Sequence, residues 1–145
     1  MDIIKANLTM KARKRAHGMT KAFGGNFRNA CYAMGYPVTV ANLEAIAETL
    51  PSAPKPIQGI AYSRGNEWDP ENRIFISTKI NTSRRDWLSA HLLGHFFARL
   101  ELNSKSEFII VEGVTSLSQL TGDDPKEFYA NVFAAELINL NGYSF

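Results

Sequence analysis

The residues with the clearest chemical capacity are two histidines four apart, His91 and His95, within Ser89–Phe97. On a helix that spacing places both imidazoles on one face about a turn apart, within reach of a single metal ion. It is the skeleton of the H-E-x-x-H zinc helix, whose glutamate acts as general base. Here Leu92 follows the first histidine, and a leucine neither accepts nor donates a proton. The pair therefore suggests metal binding without the base that hydrolysis requires. The plainer alternative is one packed and one partly exposed histidine on a buried helix. Gly94, between the two, favours the built site. A helical glycine costs about 1 kcal/mol relative to alanine, which implies that another segment passes close to its backbone.

A zinc site that keeps one position open takes three protein ligands. Glu127 is the favoured third, sharing a helix side with Asn131, Ala134 and Ile138. The same residue also sits at N3 of a helix opened by Asp124 and Pro125, where the helix dipole attracts a carboxylate; both readings stay open. Glu136 is the runner-up, but it lies on another side and could equally pair with a base. Glu101, six residues past His95, would need a sharp turn after the helix.

Positioning these residues falls to a mixed set of elements. Residues 8–22 can be helical up to Gly24-Gly25, and Phe27–Met34 reads as a short helix ending at Gly35. Tyr36–Val40 is an extended entry, and Ala41–Leu50 a helix with Leu43, Ile46, Ala47 and Leu50 on one stripe. Pro51–Pro56 forms a stiff connector. Ile57–Ser63 and Arg73–Ser77 predict an antiparallel hairpin with a longish loop over Arg64–Asn72. Ser83 and Asp86 resemble a capping box that starts the histidine helix, expected from Arg84 to Leu100 and apolar nearly all round. Phe108–Val111 reads as a further strand, 116–120 as a short helix, and the stretch from Pro125 as the last helix. The fold class is α+β, with helices on a short antiparallel sheet around a buried histidine helix.

The composition suits one soluble domain of 145 residues. No apolar run approaches the roughly 18 residues a membrane span needs, no signal peptide is evident, and Cys31 is alone. A cytoplasmic protein is expected. Residues 1–30 carry seven Lys/Arg against Asp2, a balance of +6, while the remainder carries nine basic and thirteen acidic residues, a balance of −4. The basic segment, residues 1–35, reads as a helical arm ahead of a domain over 36–145. It is either a solvated helix face or, more weakly, a nucleic-acid contact.

The motifs resemble those of the ImmA/IrrE-type zinc metallopeptidases. Arg84 through His95 follows R-x-x-x-x-x-A-H-E-L-G-H except at Leu92, and Glu127 through Leu137 is similar to the second signature, E-x-x-A-N-x-F-A-A-E-L. The likeness extends over roughly residues 36–138. It implies a small zincin-like domain with zinc held by His91, His95 and Glu127, and a helix-turn-helix regulator of a phage or mobile element as partner. It also implies a missing general base at Leu92, whose help is typically worth 10²–10⁴-fold. The expectation is a pseudo-peptidase that binds its partner, with an extended peptide able to add along the hairpin edge. The alternatives are an active peptidase with a substitute base, from Glu101 or the 113–124 segment, and a metal-free binding domain.

Overall fold

The computed structural model describes residues 3–24, 27–49, 56–66, 69–102, 108–112 and 124–140. In chain order the elements are α1 (Ile3–Phe23), α2 (Phe27–Ala33), β1 (Val38–Ala41), α3 (Glu44–Thr49), β2 (Gly59–Asn66), β3 (Asp69–Ser77), α4 (Thr82–Glu101), β4 (Phe108–Glu112) and α5 (Pro125–Leu140). The result is a mixed α+β arrangement, with helices packed on a small four-stranded sheet of order β1-β3-β2-β4.

The sheet is mixed rather than wholly antiparallel. β2 pairs antiparallel with β3 and with β4, but β1 runs parallel to β3 from Val38↔Ile74 to Ala41↔Ser77. The extended entry after Gly35 is thus an edge strand, because Val38, Thr39 and Val40 favour the pleated backbone. The hairpin is not an edge along its base: β4 covers β2 from Gly59 to Ser63 and β1 covers β3 from Ile74 onward. The β2–β3 ladder continues to Asn66↔Asp69, so much of the expected loop is strand. Pro70 is tolerated there because β1 pairing begins only at Ile74, leaving no ladder bond on that side for its missing N–H to break.

Local chemistry explains the element ends. Gly35 takes φ +85°, and the Tyr36 N–H donates to the Cys31 carbonyl at 2.8 Å, closing α2 in a Schellman-type cap. α3 is shorter than its apolar stripe suggests: Ala41 belongs to β1, Leu43 precedes the helix as a buried anchor, and Ile46 is exposed. The cap of α4 is Asn81 rather than Ser83, its side-chain oxygen accepting from the Arg84 N–H at 2.8 Å. The connector over 51–55 and the short helix over 116–120 lie outside the described residues.

α4 is the central element, buried continuously from Trp87 to Ala98. Leu88 and Leu92 lie on the sheet side against Gly59, where a β-carbon would come within 2.8 Å of a Leu88 methyl and 3.0 Å of one of Leu92. α5 lies against another face. The basic N-terminal segment is no detached arm, because Leu8, Ala12, Ala16 and Met19 of α1 share one core with Leu92, Tyr129 and Phe133. No described helix is long and apolar enough to cross a membrane.

Candidate metal centre

The two central helices, α4 and α5, come close together at Gly94. A β-carbon there would stand 2.8 Å from the Ala130 Cα and 3.0 Å from its carbonyl oxygen. Backbone atoms cannot move aside as a flexible side chain can, so glycine is required wherever α5 crosses this near. The close pass expected from the sequence thus occurs at Ala130, with Ala134 buried further along α5.

That crossing brings the start of α5 opposite the histidines. The Glu127 carboxylate spans both rings, Oε1 lying 3.1 Å from His91 Nε2 and Oε2 2.9 Å from His95 Nε2. The two Nε2 atoms are 3.2 Å apart. Among the described residues, His91, His95 and Glu127 form the cluster of histidine, cysteine and acidic groups able to hold a metal ion. A tetrahedral ion with bonds of about 2.0–2.1 Å separates its ligands by about 3.3–3.4 Å. The Nε2–Nε2 edge of 3.2 Å is close to that, while Glu127 meets each imidazole with a different oxygen, so seating an ion takes a turn of the carboxylate toward both nitrogens. The donor set, two imidazoles and one carboxylate, suits zinc.

The electrostatics are those of a carboxylate held ionised beside two imidazoles. Partial burial pushes the Glu127 pKa up, but hydrogen bonds from His91 and His95 outweigh it and leave the group well below the usual carboxylate range. His91 and His95 are only 1% and 4% exposed, whereas the Glu127 side chain is 24% exposed. Access to the cluster is therefore from the α5 side. Trp87 lies flat on the His91 ring, with centroids 4.9 Å apart and planes 14° off parallel. Arg84 covers the same indole at 5.1 Å and donates to the Gln58 side-chain oxygen. This stack packs against the face of the His91 ring, a contact that residue spacing alone did not single out, although Arg84, Trp87 and His91 fall at offsets of three and four on one helix face.

Leu92 is fully buried between α4 and Gly59 of β2. The other carboxylates weighed from the sequence are engaged elsewhere. Glu101 pairs with Arg15 at 3.3 Å and Lys11 at 3.9 Å, and Glu136 with His17 at 3.0 Å and Arg13 at 3.7 Å. Neither joins the cluster; residues 113–123 lie outside the described residues, and the Asp124 carboxylate is exposed and accepts from the Lys126 N–H at 2.9 Å at the start of α5. These pairs also direct part of the basic face of α1 inward, onto the acids of α4 and α5.

Compared with models of protein families, with curated proteins and with solved structures, the chain matches none of them.

Proposed function

We propose that this chain is a degenerate ImmA/IrrE-like protein that holds zinc through His91, His95 and Glu127 and works by binding a protein partner rather than cutting it. The observation that carries the reading is the convergence of three metal-competent donors beside a fully buried Leu92. The two sequence signatures, R-x-x-x-x-x-A-H-L-L-G-H ending at His95 and E-x-x-A-N-x-F-A-A-E-L from Glu127, support the family assignment and the zincin-like description of the fold.

When bound, zinc acidifies a coordinated water and polarises a carbonyl. Peptide hydrolysis further needs a group that takes the water's proton and returns it to the leaving amine. Leu92 can do neither, and losing that group costs about 3–5 kcal/mol of barrier. Glu101, the substitute suggested by the sequence, is paired to Arg15 and Lys11. Glu127 itself bridges both histidines and would serve as ligand. The frame is left with the capacity to hold a metal and present a surface. The partner of this reading is a helix-turn-helix regulator of the phage or mobile-element kind.

The test is to purify the full chain, measure its metal content, and incubate it with helix-turn-helix regulators drawn from its own genome. Stoichiometric zinc, a stable complex and an uncut regulator are expected. Chelator-sensitive cleavage of the regulator would overturn the non-cutting reading, and absence of a complex would overturn the binding reading.

A further inference from the structure

A second feature lies about one and a half helical turns beyond His95, at the C-terminal end of α4. There α1, the end of α2 and α4 enclose an open groove of about 610 Å³. Its walls are apolar at Phe23 and Met34, above a floor at Phe97 that is only 5% exposed and covered by Arg15. One rim is cationic: Lys11, Lys14 and Arg15 line it against the single carboxylate of Glu101, leaving an excess of two positive charges. Arg15 is already oriented, its guanidinium 4.7 Å above the Phe97 ring while it donates to Glu101. Lys14 is exposed, and among the described residues it has no carboxylate partner. Phe23 is 41% exposed at the groove end.

We propose that this groove receives an acidic amphipathic helix of a protein partner, its apolar stripe on Phe23 and Met34 and its carboxylates on Lys14 and Arg15. The charge excess selects an acidic occupant. The volume takes several side chains but not a folded domain, and flexible methionine suits a wall that must fit an incoming helix. Opposite charge at the rim steers association and fixes orientation more than it adds affinity, so the apolar walls supply the hold. The proposal deepens the partner-binding reading and rests on it for the existence of a partner. It names a surface separate from the metal ligands.

The probe is a fluorescein-labelled helical peptide of about 18 residues, leucines at i, i+3, i+4 and i+7 and glutamates elsewhere. It is titrated into the full chain, zinc-loaded and chelator-treated, by anisotropy. Saturable binding is expected in both forms, weakening as salt rises. Phe23→Ala should weaken it about tenfold, the cost of removing one interface anchor, and Lys14→Glu, which reverses a rim charge, should weaken it severalfold and flatten its dependence on salt. Lys126→Glu, at the far end of α5, should leave it unchanged. A peptide carrying lysine for glutamate should not bind. No binding of the acidic peptide, equal binding of the lysine peptide, or indifference to both groove variants overturns the proposal. So does binding of phosphatidylglycerol vesicles in place of the peptide, which would make the groove a lipid contact. Failure of the peptide with an intact regulator complex sinks only the groove; loss of the regulator complex with peptide binding retained sinks the regulator as partner.

Discussion

If His91, His95 and Glu127 seat an ion, that ion fastens α4 to α5, and folding must be linked to metal. The two imidazole nitrogens, 3.2 Å apart, stand close to the spacing a tetrahedral ion imposes, and a turn of the adjacent Glu127 carboxylate completes the set. An ion that binds only the folded chain stabilises it by RT ln(1 + [L]/Kd), about 2.7 kcal/mol at a hundredfold excess over Kd. For a chain of this size each kcal/mol moves the melting temperature by about 2–4 °C, so zinc at that excess should raise it by about 5–11 °C. The assay is thermal unfolding by circular dichroism of chelator-treated protein, with and without added zinc. Glu127→Gln keeps the side-chain volume but removes the charged ligand, and should abolish most of the shift; His95→Ala should abolish it as well. Calcium, which prefers six to eight oxygen ligands, should have no comparable effect. A melt indifferent to zinc, or an equal shift in both variants, would refute the metal centre.

Three further outcomes follow from the same contacts. On the proposed reading, Leu92→Glu should confer chelator-sensitive peptide cleavage on a zinc-loaded chain. It should also lower stability by a few kcal/mol without zinc, because a carboxylate replaces a fully buried side chain beside Gly59. Gly94→Ala should destabilise by about 1–3 kcal/mol despite the gain in helix propensity, since its β-carbon meets Ala130 backbone at 2.8 Å; urea titration reads the sign, and a neutral or stabilising result would contradict the close crossing. Cys31 is wholly buried, and burial pushes its thiol from 9.0 up to about 12. Because the unfolded chain releases that proton first, this group's contribution to stability is complete below pH 9 and is lost as pH rises from 9 to 12. Folded protein should resist Ellman's reagent at pH 8, and rapid modification would place Cys31 nearer the surface.

Much of the site could be read from local signals because each ligand carries one. The histidines have helical spacing, and Gly94 is anomalous within a helix, which pointed to a close neighbour before that neighbour was known. Glu127 follows an Asp-Pro helix start and opens the second motif. The parts that escaped depend on partners distant in sequence. β1 pairs parallel with β3 across more than thirty residues, and nothing in Val38–Ala41 announces which strand it joins. α1 hides its buried Leu8, Ala12, Ala16 and Met19 among charged residues, two of the four being alanines, and the core residues and acids it meets on α4 and α5 are distant in sequence. Asn81 outcompetes Ser83 as cap by a difference of two positions, which only the direction of the Arg84 N–H decides.

The flat contact between Trp87 and His91 has a spectroscopic consequence. An indole stacked on an imidazole at 4.9 Å senses that ring's charge and ligation through its emission. The chain therefore carries its own reporter at the candidate centre. In a Trp68→Phe background, emission from Trp87 alone follows the state of His91, so occupancy of the site can be timed optically without a label.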